Sequence, residues 1–600
     1  MAQLTVMPAA TRPKPTPEQH LAADPTSSVW VSASAGTGKT RVLSNRLLRL
    51  LLEGADPAAI LCLTYTKAGA AEMARRVQDD LANLAVMPEE VLTANLEGLL
   101  GRPSRAEEVS RAKNGLLAVL DLPAGLRIMT IHSFCQSLLY RFPLEAGVSP
   151  HFELLEPRAA AALMRKARDA VLIDQAPDLR AAIDRLAVAL GEQSLGEGLQ
   201  ALDGRRADLT RLLAAHGGEI DGLIAHVHQT LDIEPGTTLD GLRAAICSDA
   251  DRDEPALLAA ASALATGKKT DVEAGERIRA WIEADLEGRL RQLPDYRLAF
   301  VTKDGKPRKK LANKDVSEGF PQIMPVLDAE QGRLLAAAER EKAVRVAERT
   351  AALLRVGGAI IQAYERQKQA LGKLDYTDLI DKCRALLADH DAGDWVRYKL
   401  DQRIDHLLVD ESQDTSPDQW EIIQALIDDF WSGEGARSTP PTLFVVGDEK
   451  QSIFGFQGAD VDTYQRLRNA FGARAAAAGM AFRDTPLARS FRSAPAILAA
   501  VDAVFADPSI QAGVQGGGEE MQHLAFKQEA KGQVELWPLI EGEAAEDAEP
   551  WSLPDRTAIA DSAERRLAQT IALQIQAWLR DGTRLANQNR AIEAGDIMIL

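Results

Sequence analysis

The run Ala33-Ser34-Ala35-Gly36-Thr37-Gly38-Lys39-Thr40 has the residue types and spacing of a phosphate cradle. Gly36 and Gly38 allow backbone turns that aim amide N–H groups inward at an anion. Lys39 reaches the outer phosphates, and Thr40 offers a hydroxyl to magnesium at a helix start. Ala33 stands where such a loop usually carries its first glycine. A second constellation, Leu407-Leu408-Val409-Asp410-Glu411-Ser412-Gln413-Asp414-Thr415, delivers two adjacent carboxylates to the end of an apolar strand. Asp410 suits holding magnesium through water, and Glu411 suits orienting and deprotonating an attacking water, which is the division of labour needed for phosphoryl transfer to water. Alone, the first run can be a glycine turn and the second a solvated acidic loop. Together they favour phosphoryl chemistry.

These loops need a frame. A β-prone run over Ser27–Val31 precedes the glycine loop, and Arg41–Leu52 repeats apolar residues at helical spacing through Val42, Leu43, Leu47 and Leu51. A second apolar strand, Ile60–Thr64, follows a turn, so strands alternate with helices as in a parallel sheet of an α/β protein. From 143 to 403 the texture is helix-favouring, as in Arg158–Ile173 and Gly332–Leu371. Strand texture returns at His406–Val409, Thr442–Val446, Gln533–Leu539 and Asp596–Leu600, with an acidic loop at Glu541–Glu549. The predicted order is a first α/β domain in two parts, 1–142 and 404–483, split by a mainly helical insertion at 143–403, then the start of a second α/β domain at 484–600. At 600 residues the chain exceeds one hydrophobic core. Its strand-like ending at Leu600, without a polar tail, predicts a longer natural chain.

The formal charge of −18, from 69 basic and 87 acidic residues, argues against a surface coated for nucleic acid, although a channel can be locally basic on an acidic body. Cys62, Cys135, Cys247 and Cys383 lie too far apart for a zinc motif or a disulfide scaffold, which fits a reducing cytoplasm. Neither a signal peptide nor an apolar run near the roughly 20 residues of a membrane span is present. One stretch, Lys303–Lys314, is strongly basic around Gly305 and Pro307 and reads as a surface turn or hairpin. It is either a contact for duplex phosphates or a solvated loop.

Further short runs extend the pattern: Gln19 ahead of the glycine loop, Leu63-Thr64-Tyr65-Thr66-Lys67-Ala68, Thr130-Ile131-His132-Ser133-Phe134, Val446-Gly447-Asp448-Glu449-Lys450-Gln451-Ser452-Ile453-Phe454 and Ser490-Phe491-Arg492-Ser493. In this order they resemble the successive motifs of the superfamily-one helicases of the UvrD and RecB group. The start at Val29–Thr40, the run Thr130–Gly147 and the large insertion look most like the AddA-type helicase-nuclease subunits. The resemblance implies a RecA-like motor sheet with a helical insertion and part of a second RecA-like domain. It implies ATP and magnesium as cofactors, with Gln19 on the adenine edge, Arg41 beside the nucleotide, Phe491 stacked on the base, and Gln451 and Arg492 at the terminal phosphate. Thr64, Tyr65, Thr130, His132, Phe454 and Phe456 would face single-stranded DNA, where aromatic rings stack on any base.

Phe454 and Phe456 also read as a strand-end core plug, Arg492 as a salt-bridge residue, and His132 as a hydrogen-bonding group rather than a base. Gln457 stands where relatives commonly carry Arg. The acidic residues of Leu374–Ile380 read as helix-start charges. The family further implies 3′ to 5′ movement on DNA fed from a duplex, double-strand-break repair and recombination, an AddB-like partner, and a nuclease beyond Leu600. The alternatives are a stand-alone UvrD-like repair helicase without nuclease, and a nucleotide-regulated DNA-binding subunit.

Overall fold

The computed structural model describes residues 15–123, 125–173, 176–234, 236–248, 252–389, 393, 395–396, 399, 404–431, 440–452, 460–511, 522–541 and 562–600. The chain forms two units, one from Met1–Pro150 with Asp378–Leu600 and the other from His151–Thr377.

The first unit is built on a six-stranded sheet: β1 (Ser28–Ala33), β2 (Ile60–Thr64), β3 (Arg127–Thr130), β4 (His406–Val409), β5 (Thr442–Gly447) and β6 (Phe482–Leu487). Their order in space is β3-β2-β4-β5-β1-β6, and every pairing is parallel. Around it run α1 (Pro17–Ala22), α2 (Lys39–Glu53), α3 (Lys67–Val86), α4 (Glu89–Leu100), α5 (Ala106–Leu120) and α6 (Ile131–Arg141). A parallel sheet covered on both faces has continuous apolar strands. In β1, Val29 and Val31 pack with Leu43 and Leu47 of α2 and Met73 and Val77 of α3. Trp30, between them, stacks on Trp420 with ring centroids 5.8 Å apart and donates its indole N–H to the Tyr464 hydroxyl at 3.0 Å. Each such buried side chain contributes about 1.5–3 kcal/mol.

Strand β6 extends the first sheet past the 483/484 boundary expected from sequence, in register with β1 from Ser28 opposite Phe482 to Ala33 opposite Leu487. Its polar, proline-containing run is tolerated because it is the edge strand, where Pro486 interrupts no ladder on a second side. The helical unit is also shorter than the expected 143–403. A correction applies to Gln533–Leu539 and Asp596–Leu600, which read as strands but are unpaired, with Leu536 99% and Leu600 110% exposed. Strand propensity needs a neighbour to become a ladder, and among the described residues neither segment has one.

The second unit is helical apart from a short parallel pair, Glu153–Leu154 with Lys373–Leu374. Its spine is the 48-residue helix Met324–Leu371. One core gathers Val171, Leu186, Val356 and Ile360, and another surrounds Trp281 and Tyr296, whose rings stack at 3.9 Å. Asp375 is not a simple helix-start charge. It is buried, accepts hydrogen bonds from Arg206 at 2.8 Å, Tyr364 at 2.9 Å and Lys368 at 3.2 Å, and so neutralises cations that sequence spacing could not bring to it. The basic stretch is a hairpin: Val301 bridges Pro307, Gly305 sits at φ 77°, and Lys303, Lys306, Lys309, Lys310 and Lys314 are exposed.

Candidate active site

The sequence-predicted chemistry gathers at the carboxyl ends of the strands, where open α/β sheets place their ligands. The glycine loop follows β1, Asp410 and Glu411 follow β4, Asp448 follows β5, and Thr64 and Thr130 end β2 and β3 opposite one another.

Within the loop, Gly36 and Gly38 take φ 76° and 87°, which explains their identity, whereas Ala33 ends β1 without a positive φ and needs no glycine. Ser34 donates its N–H to Leu487 O at 3.3 Å, and its carbonyl oxygen accepts the Thr37 hydroxyl at 2.8 Å; Ala35 is exposed. The loop is gripped from the chain after β6. Phe491 N–H donates to Gly36 O at 2.8 Å, and a Cβ on Gly36 would lie 2.6 Å from the Arg492 Cβ. Arg492 itself is exposed. Thr40 and Arg41, both half-buried, lie in the first turn of α2.

Gln19, on α1, is buried and donates its amide to Thr37 O at 2.9 Å. That short helix is held by α2: buried Arg46 donates to Asp24 O and Ser27 O, both at 2.6 Å, and Arg49 to His20 O at 2.9 Å. Beside Gln19 lies a cavity of about 110 Å³ lined by Thr37, Leu487, Arg489 and Phe491, among others. The Phe491 ring packs against Phe526, centroids 4.5 Å apart. Nothing in the sequence singles out Phe526, Arg46 or Arg49.

Lys39 Nζ is buried without a hydrogen-bond partner, 3.5 Å from Glu411 Oε2 and 3.9 Å from Asp448 Oδ2. Asp410 is 9% exposed and accepts Glu411 N–H at 3.0 Å. Burial, reinforced by the Glu411 charge, pushes its carboxyl up to about 7, and the same causes push Asp414 up to about 6. Gln451 is exposed and donates to Asp448 Oδ2 at 2.8 Å. An orphaned ammonium facing a glycine cradle, beside carboxyls held partly protonated, fits a phosphate anion with a divalent cation. Among the described residues no three acids, histidines or cysteines form a metal cage, which fits magnesium, an ion that keeps several waters and takes one or two carboxylates. Asp448 and Gln413, which bridges Glu411 and the β5 loop, lie inside the sequence motifs; only their positions there could have marked them.

On the neighbouring strand ends, Thr64 and Thr130 are buried and Tyr65 is half-buried. The Thr130 hydroxyl caps α6 by accepting Ser133 N–H at 3.2 Å. Burial, with Lys67 second, pushes the His132 imidazole down toward its neutral form. Phe454, Phe456 and Gln457 lie outside the described residues.

The Asp410 carboxyl has an ordinary value of 3.8 and a folded one of about 7. The folded state therefore holds the proton that the unfolded state has released, so this group's contribution to stability falls as pH rises from about 4 to about 7 and is flat above. Urea denaturation of nucleotide-free protein across that window is expected to show the fall. Asp410→Asn should flatten the difference; parallel curves would refute the assignment.

Residues 15–472 match the sequence model of the UvrD/REP helicase N-terminal domain. The A subunit of an ATP-dependent helicase/nuclease from Latilactobacillus sakei is 26% identical over 516 residues, 80% of this chain and 53% of that protein. The RecBCD enzyme subunit RecB of Escherichia coli is 24% identical over 611 residues, 95% of this chain and 46% of that protein. Another ATP-dependent helicase/nuclease A subunit, from Lactobacillus delbrueckii, is 26% identical over 632 residues, 98% and 47% of the two chains. The chain spans about half the length of these curated relatives.

Proposed function

Since this chain belongs to the UvrD/REP helicase family, we propose that it hydrolyses ATP with magnesium and uses the hydrolysis to move along single-stranded DNA and unwind duplex. The observation that carries this reading is the buried, unpartnered Lys39 ammonium between Glu411 and Asp448, opposite the glycine loop. Loop amides and Lys39 would bind the phosphates, Thr40 and Asp410 would hold magnesium, and Gln19 and Phe491 would seat the base. Magnesium, when bound, neutralises charge on the phosphate oxygens. Glu411 takes the proton of the attacking water. Gln451 and Arg492 lie on the two segments that reach the phosphate side, so closure of one onto the other would complete the site.

Thr64, Tyr65, Thr130 and His132 form the proposed face for single-stranded DNA, joined by Phe454 and Phe456. The relatives' names, a helicase/nuclease A subunit and RecB, support an AddA-type role in double-strand-break repair with an AddB-like partner in the cytoplasm. Nuclease activity and 3′ to 5′ movement are parts of the same proposal. The test is ATP hydrolysis by the full-length protein with and without single-stranded DNA, and strand displacement from duplexes tailed at either 3′ or 5′ ends. Hydrolysis indifferent to DNA would overturn the motor reading in favour of a nucleotide-regulated binding subunit.

The exposed hairpin lysines are proposed to contact duplex phosphates. Replacing Lys303, Lys306, Lys309 and Lys310 with Gln should weaken duplex binding uniformly across sequences. It should also flatten the plot of log affinity against log salt by up to about 0.9 for each phosphate no longer neutralised. Titration by fluorescence anisotropy from low to high salt reads the slope, and an unchanged slope leaves the hairpin as a solvated loop.

A further inference from the structure

Gln413 is 2% exposed and fully engaged. Its amide nitrogen donates to Glu411 Oε2 at 2.9 Å and to Asp414 Oδ2 at 3.2 Å, and its side-chain carbonyl oxygen accepts Asp448 N–H at 2.9 Å. The orientation of the amide is fixed by these partners, because reversing it would set an oxygen against two carboxylates and an NH₂ against an N–H. The turn that carries it is tied to the β5 loop twice more. Ser412 Oγ donates to Val446 O at 2.9 Å, and Ser452 Oγ donates to Gln413 O at 3.2 Å. Gly447 makes the approach possible, since a Cβ there would lie 2.9 Å from the Gln413 side-chain oxygen.

The same turn meets the strand ends assigned to DNA. Asp410 N–H donates to Leu63 O at 2.8 Å, one residue before Thr64, and the Asp414 charge, after burial, raises the Tyr65 phenol. One oxygen of Asp414 is buried without a partner. Glu411 holds a left-handed backbone, φ 48°, ψ 43°, a conformation that a non-glycine residue keeps only where its surroundings impose it. Its Oε2 is the oxygen approached by both Gln413 and Lys39, so a lone pair that a general base needs for water is committed elsewhere.

We propose that Gln413 is a positioning residue that restrains Glu411 and makes hydrolysis depend on DNA. Its amide ties the carboxylate back until single-stranded DNA at the ends of β2 and β3 shifts the 412–414 turn. This rests on the reading of Glu411 as the base of an ATP-driven DNA motor.

The experiment measures ATP hydrolysis by the full-length protein with and without single-stranded oligonucleotide. Gln413→Met keeps the bulk and removes every hydrogen bond of the amide. Gln413→Glu keeps an acceptor for Asp448 N–H and withdraws both donors. The expected result is a rise of roughly tenfold in kcat without DNA, little change with DNA, and an unchanged KM for ATP. A merely structural support would instead lower both rates together. Unchanged or proportionally lowered rates in whichever variant folds, or failure of both to fold, overturn the proposal. If the unmodified protein shows no stimulation by DNA, or Glu411→Gln leaves hydrolysis intact, the underlying motor reading has failed instead.

Discussion

Glu411→Gln is expected to retain nucleotide binding while lowering DNA-stimulated ATP hydrolysis by about 10²–10⁴-fold, the contribution of a positioned general base. The Glu411 side chain is 40% exposed at the open end of the site, so water reaches it. Beside it, burial keeps the Asp410 carboxyl up at about 7 and suits that residue to a cation rather than to proton abstraction. The substitution is isosteric and removes one negative charge from a crowded group of acids, so the fold should survive. Fluorescent-nucleotide binding separates the two effects, with the dissociation constant near that of the unmodified protein and kcat collapsed. A variant retaining a tenth or more of the rate would remove Glu411 from the chemistry.

Lys39→Ala should lose binding and hydrolysis together, by at least about 10²-fold in kcat/KM, because preorganised charge aimed at phosphate oxygens acts in both ground and transition states. Lys39 also lies 3.5 Å from Glu411 and 3.9 Å from Asp448 in the nucleotide-free protein. Its removal leaves buried acids less compensated. The Asp410, Asp414 and Asp448 carboxyls, already raised by burial and lowered by Lys39, should move higher still, and nucleotide-free Lys39→Ala should be less stable at pH 8 than at pH 6. Thermal melts at the two pH values check the second effect independently of any nucleotide. Equal melting shifts would show that Lys39 does not balance these acids.

By itself the sequence determined the glycine loop, the acidic strand end, their order along the chain and the α/β frame. These follow from local rules: φ-permissive glycines, apolar runs of strand length and helical spacing are written in consecutive residues. Membership in the helicase family was legible for the same reason, since each motif is a short contiguous run. Tertiary structure decided what depends on distant partners. It placed β6 at the edge of the first sheet, left Gln533–Leu539 and Asp596–Leu600 unpaired, and made Asp375 a buried hub for a cation 169 residues away. It also set Phe526 against Phe491, Arg46 under α1, and Gln413 between Glu411 and Asp448. A buried polar side chain is defined by the groups that satisfy it, and those groups arrive only when the strands are laid side by side.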